Sequence, residues 1–161
     1  MPTVRPASRE EPFRVAACGA AGGIVVRAGA DSSPRVLVVH RSDGAWAFAH
    51  SGRRRGEAMV TAALRAVRAQ TGFLCVPEAI LGSTEHADRW NRTQLVRYWA
   101  MRPLSGAFAP TDNVDDCAWL RPAEAAVRLT NDHDRRLLLH AIPDIEAVLE
   151  SRLRLLEGSL G

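Results

Sequence analysis

The sequence predicts a mixed α/β domain in which a mixed β-sheet is sandwiched between α-helices. Strand-like segments come first, one amphipathic helix follows near residues 58–71, and further strands precede helical segments toward the C-terminal end. This order of strands, helix, strands and helices is typical of a sheet that is covered by helices. With 161 residues, the chain is long enough for one domain with a full hydrophobic core.

The composition favours a globular protein and argues against two classes of function. Hydrophobic residues make up 47% of the chain and charged residues 24%, which is ordinary for a globular domain. All 21 basic residues are arginine, but the net charge of +3 is mild and no nucleic-acid-binding motif is present. No segment approaches the ~18 consecutive apolar residues of a membrane-spanning helix. We therefore expect neither a nucleic-acid-binding protein nor a membrane protein.

The cysteines and the first residues bear on the cellular compartment. Cys18, Cys75 and Cys117 are odd in number and far apart, which argues against a disulfide framework and against a zinc site of the CxxC type. The N-terminal stretch is polar and lacks the apolar core of a signal peptide. We therefore expect a cytoplasmic protein.

The first part of the chain predicts a flexible segment followed by three strands. Residues 1–12 are rich in proline and charge, and we expect them to be flexible and to precede a single domain at residues 13–161. Apolar and β-branched residues between turn signals predict strands at Arg14–Ala28, Arg35–Ser42 and Trp46–Ala49.

The most clearly defined helix covers about Ala58–Thr71. Gly72 occupies the position at which a left-handed C-terminal cap belongs, and Phe73 can pack back on the last turn. The apolar stripe that recurs at helical spacing consists of Met59, Val60, Ala63, Leu64 and Val67.

The second part of the chain predicts three strands and two helices. Two long strands, Leu74–Asp88 and Gln94–Leu104, are joined by a polar turn, and a third strand begins at Val114. Pro122 is a good first residue for a short helix, and a long C-terminal helix follows. Pro143 is expected to kink or divide that last helix.

The C-terminal helix carries an apolar stripe whose partner the sequence leaves open. The stripe can dock on the same domain, which is the default for an amphipathic helix, or on a second copy in a homodimer. It consists of Ile145, Val148, Leu149, Leu153 and Leu156.

The order of these segments resembles the Nudix superfamily, and specifically its MutT-like branch. The box of that family reads G-x5-E-x7-R-E-U-x-E-E-x-G-U, in which U is a bulky aliphatic residue. Glu57 matches the first Glu, Arg65 the Arg and Gly72 the late Gly. Flanking segments such as "GGIVV", "RVLVVHR" and "RYWAMRPLSGAF" extend the resemblance over most of the chain, which implies a Nudix fold.

The box is degenerate at four positions, where this chain has Ser51, Ala66, Ala69 and Gln70. In the family, the last three positions hold carboxylates that bind Mg²⁺ or Mn²⁺ beside a pyrophosphate. Their spacing of i, i+3 and i+4 places them on one helix face. Alanine supplies no oxygen donor and a glutamine amide is a weak one, so Glu57 alone cannot build such a cluster. We therefore expect a pseudoenzyme without catalytic residues, metal or other cofactor.

An active enzyme is the alternative that the sequence leaves open. It would be a Nudix pyrophosphohydrolase of nucleoside polyphosphates that uses Mg²⁺ or Mn²⁺ with non-standard ligands. The candidate ligands are Glu57, Glu85, Asp115 and Asp116.

The loop before the helix contains the first candidate ligand-binding residues. Arg53, Arg54 and Arg55 can clamp a phosphate, because guanidinium matches phosphate geometry, or they can be three solvated arginines on a turn. His50 can contact a ligand phosphate or act as an acid or base near neutral pH, although a lone loop histidine is more often a surface residue. Arg65 is expected to pair with Glu57 and to brace the loop.

The remaining candidates lie on the late strands. Tyr98 and Trp99 point to opposite faces of a strand, and we assign Tyr98 to the ligand cleft and Trp99 to the core. Asp115 and Asp116 can contact a base or a metal, as in some Nudix relatives, or form a polar turn. The expected partner is a nucleotide, another phosphorylated small molecule or a protein.

Overall fold

The computed structural model of the protein describes residues 19–87 and 90–160. The expected flexible segment 1–12 and the first residues of the strand expected from Arg14 lie outside the described residues. Within the described ranges, the chain forms seven strands and three helices. The strands are β1 (Ala20–Ala28), β2 (Pro34–Arg41), β3 (Trp46–Ala47), β4 (Ala49–Gly52), β5 (Phe73–Ala87), β6 (Thr93–Gly106) and β7 (Val114–Leu120), and the helices are α1 (Met59–Thr71), α2 (Pro122–Arg128) and α3 (Asp132–Leu160).

The strands form one mixed sheet with the order β3-β2-β1-β6-β5, to which β7 adds beside β2 and β4 beside β1. The pair β1 and β6 is parallel, and the other described pairs are antiparallel. Two strands share one edge of β1, because β2 pairs with residues 26–28 and β4 pairs with residues 20–23. The sheet therefore splits at this edge, where β4 leads directly into the loop before α1.

Two hydrophobic clusters cover the two faces of the sheet. On one face, Val67 of α1 packs with Val25 and Met101. On the other face, Leu138 and Ile145 of α3 pack with apolar residues of the sheet. The sheet is thus sandwiched between helices, and the predicted α/β fold is confirmed.

Two predicted elements, the strand before the loop and the last helix, differ from what the sequence suggests. The expected strand Trp46–Ala49 is two short strands, β3 and β4, and the second of these runs on to Gly52. The long helix α3 continues through Pro143 and is not divided there. The interruption at Phe48 reflects a change of pairing partner from β2 to β1.

The apolar stripe of α3 has two different environments. Ile145 and Leu149 are buried in the domain, whereas Leu153 is 45% exposed and Leu156 is 62% exposed. The first half of the stripe therefore docks on its own domain, and a homodimer contact through the second half stays a prediction. None of the helices in the described ranges combines the length and the apolarity that crossing a membrane requires.

The end of α1 depends on Gly72, as the sequence predicts. Gly72 has a φ angle of 79° and its N–H donates to the carbonyl oxygen of Arg68 at 2.9 Å. A Cβ atom at this position would also collide with the carbonyl oxygen of Ala107. Both the left-handed backbone and the lack of space therefore favour glycine.

We expect Gly72→Ala to lower the free energy of unfolding by at least about 1–2 kcal/mol, because alanine is strained in the left-handed region. Urea unfolding measures this change. Gly52→Ala is the matched control, since a Cβ atom at Gly52 meets no atom within 4 Å. Equal stability of the two variants would contradict the role assigned to Gly72.

Candidate functional site

The loop between β4 and α1 is held by an ion pair between Glu57 and Arg65. Nε of Arg65 donates to Oε2 of Glu57, and Nη2 donates to Oε1, both at 2.9 Å. The backbone N–H of Arg54 donates to the same Oε1 at 2.9 Å. Arg65 also donates to Oγ of Ser51 at 3.3 Å and to the carbonyl oxygen of Gly52 at 2.9 Å. The expected pair is present, and it ties the helix to both ends of the loop.

The ion pair determines the charge state of Glu57. Hydrogen bonds from Arg65 and from the Arg54 N–H lower the pKa of Glu57 to about 2. The carboxylate is therefore ionised throughout the neutral range, and both of its oxygens already accept hydrogen bonds.

Of the three box positions on this helix face, only Gln70 has a side-chain oxygen that could be a metal ligand. Ala66 is buried, and Ala69 is exposed and lines an outer groove beside Leu74. Nε2 of Gln70 donates to the carbonyl oxygen of His50 at 2.7 Å, which leaves Oε1 buried without a hydrogen bond in the described parts of the chain. The three positions thus have different environments, although their spacing places them within one helix face.

The three loop arginines lie around the N-terminus of α1. Arg53, Arg54 and Arg55 are exposed, and Nη1 of Arg53 donates to the carbonyl oxygen of Glu57 at 3.2 Å. The helix begins after Ala58 without a side-chain cap, and its first turn contains no acidic residue. The positive charge of the loop therefore lies beside the positive end of the helix dipole.

Comparison with known proteins decides the family. A profile of the NUDIX domain matches residues 19–141. The chain belongs to the NUDIX family. It is 32% identical over 112 residues to an 8-oxo-(d)GTP phosphatase of Mycolicibacterium smegmatis. That alignment covers 68% of this chain and 34% of the phosphatase, so the chain spans about one third of the length of this relative.

Solved structures agree with this assignment at the level of the fold. A complex of the Caenorhabditis elegans Ap4A hydrolase has a TM-score of 0.68 at 14% identity, over 76% of this chain and 93% of that chain. The MutT NUDIX hydrolase of Burkholderia pseudomallei has a TM-score of 0.62 at 18% identity, over 76% of this chain and 96% of that chain. The predicted NUDIX fold is confirmed.

The residues at this NUDIX site do not fit Mg²⁺ or Mn²⁺. These cations require several oxygen ligands, usually including carboxylates. Glu57 is engaged by Arg65 and Arg54, and Ala66 and Ala69 have no donor atom. Within residues 19–87 and 90–160, no group of three or more His, Cys, Asp and Glu side chains is arranged to hold a metal ion.

Tyr98 does not face the cleft of this NUDIX domain, which corrects the prediction from strand alternation. Its side chain is completely buried, and its ring contacts Phe48 edge to face at a centroid distance of 6.1 Å. Trp99 is in the core as predicted, with 8% exposure. Both neighbours are buried because β6 is an inner strand that has helices on both faces, whereas alternation exposes one side only in a half-covered sheet.

The two aspartates of β7 lie at the other edge of the sheet from β5. Asp115 pairs with Nδ1 of His40 on β2, and Oδ1 of Asp116 accepts a hydrogen bond from the Cys117 N–H at 2.8 Å. Glu85 belongs to β5. The hydrogen bonds of the described residues thus connect Asp115 and Asp116 with β2 and β7, and not with Glu57.

His50 belongs to a polar cluster around the buried Asp134, which the sequence did not predict. Asp134 of α3 is fully buried, and its Oδ1 lies 3.3 Å from Nε2 of His86. The His86 ring stacks on the His50 ring at a centroid distance of 5.2 Å. Burial lowers the pKa of His50, and burial raises the pKa of Tyr98 well above its ordinary value. His50 itself is half-buried, and its Nδ1 lies 3.0 Å from the carbonyl oxygen of Phe48.

One sequence signal points to this cluster. Asp134 occupies the apolar stripe of α3 together with Leu138, Ala141 and Ile145, which are all buried. A carboxylate at that spacing is unusual, because ionised side chains are rarely buried without a partner. The partner His86 comes from β5, and only the fold brings the two together.

We expect the Glu57–Arg65 pair to stabilise the fold at pH 7 and to lose this effect in acid. Glu57 has a lowered pKa, so its contribution is complete above its ordinary pKa of 4.5 and is lost as the pH falls toward about 2. Glu57→Gln, Arg65→Gln and the double variant form a mutant cycle that thermal melting can follow. Coupling at pH 7 that disappears near pH 2 is the expected result. Additive effects at pH 7 would show that the pair is not a brace.

Proposed function

We propose that this NUDIX protein lacks metal-dependent hydrolase activity and binds a nucleotide or another phosphorylated ligand directly at the loop between β4 and α1. The main observation in support is that the box retains one carboxylate and that this carboxylate is already hydrogen-bonded. Its remaining carboxylate, Glu57, is fully engaged by Arg65 and the Arg54 N–H. The family acts on nucleotides or phosphorylated compounds, which supports the ligand class.

Loss of hydrolysis follows from what a metal does in phosphate chemistry. A bound divalent cation neutralises phosphate charge and orients or activates the attacking water. Here Ala66 and Ala69 supply no ligand, and the Gln70 amide is turned toward the His50 carbonyl group. The arginines can replace the charge of the cation, but they do not activate water.

Direct binding of an anion is supported by the charge of the loop. Arg65 neutralises Glu57, so the exposed Arg53, Arg54 and Arg55 face no uncompensated acid from the box. The uncapped N-terminus of α1 adds free backbone N–H groups. Guanidinium groups bind phosphate through paired hydrogen bonds.

The second candidate function is a NUDIX pyrophosphohydrolase with non-standard ligands. The names of its relatives, an 8-oxo-(d)GTP phosphatase and an Ap4A hydrolase, favour this reading. Its candidate ligands Glu57, Glu85, Asp115 and Asp116 would have to converge. In the described structure, Asp115 pairs with His40 and Glu57 pairs with Arg65, so we prefer the binding function.

We expect the protein not to hydrolyse GTP, 8-oxo-dGTP or Ap4A with either Mg²⁺ or Mn²⁺. A coupled assay, in which a pyrophosphatase or phosphatase converts the hydrolysis product to phosphate, should therefore detect no phosphate above background. Ala69→Glu combined with Gln70→Glu should create Mn²⁺ affinity that isothermal titration detects, because Ala69 is exposed and Gln70 is only partly buried, so that the helix can accommodate two carboxylates. Ala69→Gln has similar bulk without charge and should gain none.

Two outcomes would contradict this proposal. Metal-dependent hydrolysis by the natural protein that Glu57→Gln abolishes would establish the enzyme. A folded Ala69→Glu/Gln70→Glu variant without metal affinity would show that this helix face is wrongly assigned.

We also expect GTP or ADP in EDTA to raise the melting temperature of the protein. Ligand at about a hundred times its dissociation constant stabilises a protein by roughly 2.7 kcal/mol. The change of Arg53, Arg54 and Arg55 to Gln should remove the shift. A control variant removes the same charge at the exposed Arg102, Arg121 and Arg154 and should retain it. No shift with any nucleotide, together with a stable dimer in light scattering, would favour a protein-interaction module.

A further inference from the structure

A second concave surface lies between β5, β6 and α3. It is a groove of about 530 Å³, which is in the size range of pockets that hold small molecules. The loop arginines do not line it. Its apolar lining consists of Leu81, Leu95 and Leu137.

One wall of the groove is basic. His133, Arg136 and His140 line it from α3, and their spacing of i, i+3 and i+7 places them on one face of the helix. Arg136 is exposed, and its Nε donates to the carbonyl oxygen of Asp132 at 3.4 Å. With the described residues, Arg136 makes no other side-chain hydrogen bond, so four N–H groups of its guanidinium remain for a ligand.

The opposite wall comes from β5 and combines hydroxyl groups with one carboxylate. Ser83, Thr84 and Glu85 line the groove there. Thr84 is only 6% exposed, and its Oγ1 is buried beside the hydroxyl group of Tyr98. The exposed side chains of this wall are Ser83 and Glu85, and the Ser83 hydroxyl can donate to a ligand oxygen.

The shape of β5 keeps this wall in place. The register of β5 against β6 shifts between Ile80 and Gly82, and Gly82 has a φ angle of 134°. A Cβ atom at Gly82 would lie 3.2 Å from Cδ1 of Leu137. The bulge therefore brings β5 close to α3 and bends the strand where the groove begins.

We propose that this groove is a second ligand site, which binds a small phosphate monoester with an apolar or aromatic group. The phosphate oxygens accept hydrogen bonds from Arg136, the imidazoles and the Ser83 hydroxyl, and the apolar group covers the leucines. A phosphate suits donors on two walls, because it has three acceptor oxygens. Glu85 is the acidic residue of the lining, and its charge opposes binding.

The site is separate from the loop site, so its test is independent of the proposed function. Phenyl phosphate, inorganic phosphate and benzyl alcohol are titrated into the ¹⁵N-labelled full chain, and amide shifts are followed by NMR. Phenyl phosphate should shift Ser83–Glu85 and residues 133–140, and it should bind more tightly than either of the other two probes. No shifts in these segments up to 10 mM, or equal affinity for inorganic phosphate, would overturn the site.

Four variants sharpen the test. Arg136→Gln should weaken phenyl phosphate binding about tenfold or more, because a hydrogen bond to a charged group is lost. Arg154→Gln, an exposed arginine later in the same helix, is the matched control and should have no effect. Glu85→Gln should tighten binding, since it removes a repulsive charge. The triple change of Arg53, Arg54 and Arg55 to Gln should leave these shifts unchanged.

The opposite results each overturn the proposal. Unchanged affinity in Arg136→Gln would show that the basic wall does not bind the phosphate. Weaker binding by Glu85→Gln would show that the groove takes a hydrogen-bond donor at Glu85 instead of an anion. Loss of the shifts in the loop variant would assign the phosphate to the site of the proposed function.

Discussion

The bidentate pair between Arg65 and Glu57 is the interaction on which the site depends. It joins the second turn of α1 to the loop, and the same guanidinium holds Ser51 and Gly52 at the end of β4. One side chain therefore fixes the entry and the exit of the loop. Both carboxylate oxygens of Glu57 accept these hydrogen bonds, so the first Glu of the box has a structural role here. The exposed charge of the loop is therefore that of Arg53, Arg54 and Arg55.

The packing of α1 is connected with the loss of the carboxylates. Three alanines of the helix, Ala62, Ala63 and Ala66, are buried against the sheet. Small residues let a helix backbone approach its neighbours closely, and protein interiors leave few voids. A glutamate at position 66 would need both space and solvation that this interface does not provide. Alanine at this position thus provides no metal ligand and is buried in the packing of α1.

The features that the sequence predicted correctly are those that depend on residues close together in the chain. The stripe of α1, the cap at Gly72 and the pairing of Glu57 with Arg65 depend on residues within about four helical turns, and the structure has all three. The burial of Tyr98 depends on how many helices cover β6, and the contact of His86 with Asp134 depends on the packing of β5 against α3. Neither is contained in strand alternation or helical spacing, so both required the fold.

The charge arrangement is the physical reason for the proposed separation of binding from turnover at this site. In metal-dependent phosphate chemistry, the cation stands between protein carboxylates and the phosphate and also provides the activated water. In the proposed function, the box lacks those carboxylates, so the phosphate would meet protein charge directly. Arginine attracts and orients phosphate but stays protonated at neutral pH, so it cannot serve as the base that water needs. A loop with three exposed arginines beside a neutralised Glu57 therefore favours holding a phosphate over cleaving it.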